Sequence, residues 1–318
     1  MATRVADSTT VVTTGMSFRC PGLVALATLV APVGCDRAHH EAPPGPPPAP
    51  APPSCKLAPL PLRVPAAPRV VAIGDIHGDL AAARSALRTA GVIDANDHWS
   101  GGSTVVVQTG DLLDRGDDES KILALFDRLA DEARAAGGRI DQLLGNHELM
   151  NSVHDFRYVT DAGMHDFDND RTHELGPGGV WAKKLAQHDV VEIIGDTVIS
   201  HAGVLPAWTG RLDAMNLEAR CWLDGQGSEP PSVLTSDDSP MWTRVWGGDD
   251  VDCAQLGAVL EALHGKRMVV AHTVQKAGIT SACNGALWRI DVGLAKLYGG
   301  PIQVLELSDP PKVLTGER

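Results

Sequence analysis

The chain is predicted to be an α/β protein, and three observations carry that prediction. Five short runs rich in Val and Ile recur along it, as buried strands require. A polar motif follows each run, and two of the intervening segments place apolar residues at helical spacing. The runs are 69–73, 104–107, 140–144, 197–199 and 268–271; the motifs are GDIHGD, GDLLDRGDDE, LGNHELMN, SHAG and VVAHT. Asp111 follows Asp75 by 36 residues and Asn146 follows Asp111 by 35, about one strand–helix–strand unit each. Loops leaving buried strands commonly carry functional groups, so the motifs are expected to converge at one sheet edge.

Between the runs, residues 79–90 read as a helix closed by Gly91. A second helix is expected over 117–136, where Ile122, Leu125, Phe126 and Leu129 recur at helical spacing after an acidic start and before Gly137 and Gly138. Residues 152–179, rich in His, Asp and Gly, are expected to form a lid or substrate-facing insertion, and 225–240 a loop. With 318 residues, the chain has room for one folded domain of roughly 250 residues behind a leader. A formal net charge of −13 gives no electrostatic footprint for nucleic acid. It does not exclude anionic substrates, because bound dications and arginines reverse the sign locally.

The motifs specify chemistry residue by residue. Asp75 and His77 offer a carboxylate oxygen and an imidazole nitrogen to one cation. Asp111 is a second carboxylate that can bridge two cations about 3.5–4 Å apart. Asn146, His201 and His272 would complete the second cation's shell. This mixed oxygen and imidazole set suits two divalent or trivalent ions of manganese, iron or zinc, and would be unusual for calcium. A water bridging such ions becomes a hydroxide near neutral pH and can attack phosphorus in line. His147 is the candidate general acid, with Asp114 holding it oriented and charged. Arg115 and Arg244, with Asn146, are the candidate phosphate-binding residues, since guanidinium forks match phosphate oxygens.

The segments Gly74–Gly78, Gly110–Gly116 and Gly145–Glu148 match the patterns GDxHG, GDxxDRG and GNHE. On these residues the chain resembles the phosphoprotein phosphatase branch of the calcineurin-like metallophosphoesterases. Phe156 opens FRYVT, His201 opens HAGV, and 271–293 reads AHTVQKAGITSACNGALWRIDVG; these segments are most similar to the Shewanella-like protein phosphatases. The resemblance implies a central β-sandwich flanked by helices in four αββα layers. It also implies a first metal on Asp75, His77 and Asp111 and a second on Asp111, Asn146, His201 and His272. Ala271 stands where the family usually has Gly, and Val274 where Pro is common. Ala271 is unstrained only if its φ is negative.

The amino terminus carries a separate signal. Residues 21–34 resemble a secretory h-region flanked by Arg19, with Met16 an alternative start, and VGC at 33–35 resembles a bacterial lipoprotein cleavage box. Residues 1–35 are therefore expected to be a leader, with lipid attachment at Cys35 or plain secretion. Residues 36–66, Pro- and Ala-rich over 42–61, are expected to be an extended tether, and 67–318 the catalytic domain. The expected location is periplasmic or membrane-anchored in a bacterium. In that oxidising compartment Cys55, Cys221, Cys253 and Cys283 could form two disulfides, with Cys221–Cys253 the preferred pair.

His39, His40, His154, His165 and His173 read as bystanders, and Trp242, Trp246 and Trp288 as packing residues. Three functions follow. The first is a metal-dependent phosphomonoesterase, a protein phosphatase acting on phosphotyrosine or on phosphoserine and phosphothreonine. The second is a nucleotide or dinucleoside polyphosphate hydrolase, and the third a metal-free binding lipoprotein. The expected partners are a phosphorylated protein or peptide, or a small phosphoester, met by a monomer.

Overall fold

In the computed structural model, which describes residues 55–318, the apolar runs form strands covered on both faces. The chain begins β1 (Arg63–Val64), β2 (Val70–Ile73), α1 (Leu80–Thr89), β3 (Val105–Gln108), α2 (Glu119–Ala135) and β4 (Arg139–Gln142). A helical stretch follows: α3 (Asn146–Ser152), α4 (Asp161–Met164), α5 (Arg171–Leu175) and α6 (Val180–Leu185). Next come β5 (Val191–Ile194), β6 (Thr197–Ser200), α7 (Leu212–Leu223), α8 (Ser232–Thr235) and α9 (Cys253–Ala262). The chain closes with β7 (Arg267–Val270), β8 (Thr280–Ala282), β9 (Leu287–Arg289), β10 (Ile302–Glu306) and β11 (Lys312–Gly316).

Two sheets result, ordered β11-β10-β2-β3-β4 and β1-β5-β6-β7-β9-β8. Strands β2, β3 and β4 run parallel in the first, as do β6, β7 and β9 in the second. Successive strand residues face opposite sides. Val70 and Ala72 of β2, Val105 and Val107 of β3 and Leu305 of β10 meet Ile194, Ile199 and Val269 of the other sheet in a buried cluster. The alternate residues Val71, Ile73 and Val106 instead share a cluster with Ala86 and Leu87 of α1 and Ile122, Phe126 and Leu129 of α2. Val198 and Met268 do so with Met215 of α7 and Leu256 and Val259 of α9. Each buried aliphatic chain contributes roughly 1.5–3 kcal/mol. The architecture is α/β, a sandwich of mixed sheets with helices outside, as expected. Among the described residues no helix is long and apolar enough to cross a membrane.

Local chemistry sets the helix ends. Asp79 caps α1 by accepting the Ala82 N–H at 2.9 Å, and Gly91 ends it at φ 67. Helix α2 stops before Gly137 at φ 81. Three expectations are corrected. The disulfides are Cys55–Cys221 and Cys253–Cys283, not Cys221–Cys253, because folding sets these distances in space. The folded body starts by Cys55 rather than at 67: β1 pairs parallel with β5, and Arg220 Nη1 donates to the Ala58 carbonyl at 3.1 Å. Residues 225–240 are not all loop, since α8 lies within them. The leader, Met16, Cys35, His39, His40 and the tether up to residue 54 lie outside the described residues.

Where β4 and β5 face each other, Arg139 Nε contacts Asp141 at 2.6 Å and its Nη2 contacts Glu192 at 3.3 Å. Burial, reinforced by Asp141, pushes Glu192 up to about 8 from 4.5. A carboxyl raised on folding favours the protonated folded state, so its stabilisation is full below pH 4.5 and is lost as pH climbs through 8. The melting temperature should therefore fall between pH 5 and pH 9, and Glu192→Gln should flatten that slope. An unchanged slope in the variant would assign it to other groups.

Candidate metal centre

The five motif loops leave the carboxyl ends of strands in both sheets, so the expectation of one sheet edge is corrected. Asp75 and His77 follow β2, Asp111, Asp114 and Arg115 follow β3, and Asn146 and His147 open α3 after β4. His201 follows β6 and His272 follows β7. The two sheets close on one another at this end, and the site lies across the gap.

Close backbone approach explains the motif glycines. A Cβ on Gly110, which sits at φ 91, would collide with the Gly145 backbone, and one on Gly145 would collide with Asp111. The non-glycine residues His77, Asp111, Asp114, Arg115 and His272 have φ of 48, 56, 67, 68 and 63. Each such conformation costs about 1 kcal/mol or more and persists only where surroundings dictate it. The left-handed turn falls on His272 rather than Ala271, so alanine replaces the family's glycine without strain. Glu148 holds the loops in register. Its buried carboxylate accepts N–H bonds from Asp111 at 2.9 Å, Leu112 at 2.8 Å, Leu113 at 3.2 Å and Gly145 at 2.8 Å.

Seven of the sequence-derived residues come together, all buried. Asp111 Oδ2 lies 3.3 Å from His201 Nε2, 3.7 Å from His147 Nε2 and 3.8 Å from His77 Nε2. His201 Nε2 is 2.9 Å from Asn146 Oδ1 and 3.0 Å from His272 Nδ1. Asp75 lies 4.0 Å from His77 Nε2 and 3.7 Å from His201 Nδ1. Two compact sets emerge, His77–Asp111–His147 and Asp111–His201–His272, which share Asp111.

The donors fit metal ions. Asp75 Oδ1 is buried without a hydrogen-bond partner, which is costly unless something else occupies it. Burial, opposed by Asp111, lowers His77 to about 4, and burial with His201 lowers His272 to about 2. Both are therefore neutral imidazoles with a lone pair to offer. Burial alone would raise Asp111, but His201 and His147 foremost hold its carboxyl well below the ordinary value. Asp75 moves the other way, raised by burial and by Asp291 and Asp111. Such a cluster of buried carboxylates is what a nearby cation would relieve.

His147 stands apart in its hydrogen bonding. Its Nδ1 lies 2.5 Å from Asp114 Oδ2. Burial works against its charge, yet Asp111 and Asp114 raise it above the ordinary imidazole value. Asp114 is fixed in turn: Asn151 donates to its Oδ1 at 2.8 Å and Arg171 Nη2 at 3.0 Å. Arg171 also pairs with Glu119 and donates to Asn151 at 2.8 Å. Breaking such a buried pair from one side costs about 3–5 kcal/mol. Arg171→Met should therefore lower the unfolding midpoint in urea by that equivalent and also reduce turnover. An unchanged midpoint would show that the network contributes nothing to stability.

A cavity of about 310 Å³ opens over the cluster, lined by Arg115, Arg244, Tyr158, Trp242 and Tyr298 among others. Arg115 is packed between two rings, its Cζ 4.6 Å from the Tyr158 centroid and 5.4 Å from that of Tyr298. Its Nη2 is 3.4 Å from His147 Nε2. Arg244, also in the wall, donates to the His272 carbonyl at 3.3 Å. Residues 152–179, expected as a lid or substrate-facing insertion, hold α4, α5 and turns, from which Tyr158 lines the cavity and Arg171 reaches Asp114. His154, His165 and His173 are exposed there. Trp246 is a packing residue, as expected, donating to the Val204 carbonyl, whereas Trp242 is part of the cavity wall. Glu148, Arg171, Glu119, Asn151, Tyr158 and Tyr298 had no assigned role from sequence. Glu148 in GNHE, Glu119 at the end of GDLLDRGDDE, Asn151 at the end of LGNHELMN and Tyr158 in FRYVT lay within the motifs, whereas Arg171 and Tyr298 carried no such signal.

Comparison with known proteins agrees with this geometry. A sequence profile for the calcineurin-like phosphoesterases matches residues 68–276. Shewanella-like protein phosphatase 2 of Arabidopsis thaliana is 37% identical over 292 residues, covering 75% of each chain. Shewanella-like protein phosphatase 1 of Plasmodium berghei is 28% identical over 251 residues, covering 73% of this chain and 69% of that one. Among solved structures, a mutant of a cold-active protein tyrosine phosphatase superposes with a TM-score of 0.71 at 25% identity, covering 80% of this chain and 83% of that one. With its metal-ligand cluster at the shared end of two sheets and a sequence match over most of the folded body, this chain belongs to the calcineurin-like phosphoesterase family.

Proposed function

We propose that the chain is a protein phosphatase that binds two metal ions, the first on Asp75, His77 and Asp111 and the second on Asp111, Asn146, His201 and His272. The observation that carries this reading is Asp111, whose one oxygen lies within 3.8 Å of His77, His147 and His201. When bound, the metals, of manganese, iron or zinc type, supply Lewis-acid charge and an activated water.

The chain's own residues do the rest. Arg115 and Arg244, with Asn146, line the cavity and take the phosphoryl oxygens. Tyr158 and Tyr298 fix the Arg115 guanidinium so that little rotamer freedom is lost when phosphate binds. Asp114 keeps His147 protonated, and His147 Nε2 delivers that proton to the leaving oxygen. The aromatic wall of Tyr158, Trp242 and Tyr298 suits an aryl phosphate, which supports phosphotyrosine as the substrate residue. Export through the amino-terminal leader, with or without a lipid on Cys35, is part of the same proposal. The two disulfides support an oxidising compartment.

The test is hydrolysis of a phosphotyrosine peptide, a phosphothreonine peptide and a dinucleoside tetraphosphate by the full chain with manganese. Turnover of the phosphotyrosine peptide above the other two is the expected result. Turnover of the dinucleotide alone would replace the phosphatase reading with an anhydride hydrolase.

A further inference from the structure

A second cavity, of about 360 Å³, opens at the side of the sandwich, and none of the candidate catalytic or metal-binding residues lines it. Three carboxylates face it, from Asp141 on β4, Glu192 on β5 and Asp189 just before β5. Asp189 and Glu192 are each only 7% exposed. Asp189 Oδ1 and Glu192 Oε2 nevertheless accept no hydrogen bond. Native structures rarely leave buried polar atoms in this state without a missing partner.

We infer that this cavity is a binding site for a small organic cation, an ammonium group on a short alkyl chain. The charges facing the carboxylates do not balance them. Arg139 spans Asp141 and Glu192, and Arg220 from α7 approaches Asp189 no closer than 3.9 Å. Arg134, at the rim on α2, is largely exposed and pairs at the surface with the equally exposed Asp131. His188 is lowered to about 4 by burial and brings no charge at neutral pH. Three carboxylates thus face the part-exposed Arg139 and the buried Arg220, and without a bound cation it is the proton held on Glu192 that makes up the balance. An ammonium presents three donors and no acceptor, which matches oxygens that lack donors.

Size argues for an organic ion over a metal. Among the described residues, the compact His and carboxylate groupings that could hold an ion occur only at the catalytic cluster. The carboxylates of this second cavity are spread too widely to grip a dication together. Leu60, Pro61, Val64, Ala130 and Leu143 line the remainder, and such walls suit methylene groups. A cation would take the place of the proton that burial otherwise keeps on Glu192, so binding strengthens as pH rises.

Calorimetric titration of the full chain with n-butylamine at pH 8, with 1-butanol and magnesium chloride as comparison ligands, tests this. Expected are saturable one-site binding of the amine and at least tenfold weakening in Glu192→Gln. Binding should also be lost in Ala130→Trp, which fills the cavity without changing its charge. Asp189→Asn replaces Glu192→Gln if the latter does not fold. No saturable amine binding, equal binding of butanol, unchanged affinity in the variants, or binding of magnesium in place of the amine would each overturn the inference. None of these readouts depends on phosphatase turnover.

Discussion

Asp111→Asn is expected to lower phosphopeptide turnover by about 10³-fold or more, with loss of bound metal and little loss of fold. Among the described residues it is the one carboxylate within reach of imidazoles from three different loops, at 3.8, 3.7 and 3.3 Å. Asparagine keeps its shape. The remaining oxygen still accepts the His147 N–H that Asp111 Oδ1 takes at 3.0 Å, so the start of α3 stays in place. What disappears is the negative charge that the two ligand sets share. Metal content and kcat/KM measured on the same preparation check this, and activity within tenfold of the parent would show that Asp111 is not the shared ligand.

His147→Ala has the next largest expected effect, and its direction depends on the substrate. A positioned general acid contributes about 10²–10⁴-fold. That contribution is needed when the leaving group is a poor one, such as an alkoxide, and much less for an activated aryl oxide. The variant should retain its metals and lose activity on a phosphothreonine peptide far more than on p-nitrophenyl phosphate. The structure gives the reason: Nδ1 is committed to Asp114 at 2.5 Å, so the transferable proton is on Nε2, which faces the cavity. Equal losses on both substrates would remove the general-acid role and leave His147 a packing partner of Asp114.

Much of this site could be read in the sequence because its chemistry is concentrated in short loops whose glycines are forced by backbone contact, as between Gly110 and Gly145. The division of those loops between two sheets was not legible, since strand pairing is non-local and the runs before His201 and His272 look like those before Asp75 and Asp111. The strand before Asn146 shows the same limit. The apolar run suggests 140–144, yet β4 ends at Gln142, because Leu143 turns into the space between the sheets and the Leu144 N–H pairs with the Asp189 carbonyl. Arg171 and Tyr158 come from a stretch without helix or strand period, so nothing in their spacing announces that they reach Asp114 and Arg115. The cysteines were countable but not pairable. Cys55 meets Cys221 across 166 residues, a distance that only the docking of the first strand on the second sheet makes short.

The most direct test of the account is the number of metal ions needed to restore turnover of a phosphotyrosine peptide to the chelator-stripped full chain. Two equivalents per chain are expected for the parent, with one tight equivalent and almost no turnover in His272→Ala, which removes a ligand from one set and leaves the other. Full activity after chelation, or full activity with a single equivalent in both proteins, would contradict a two-metal phosphatase built across the ends of the two sheets.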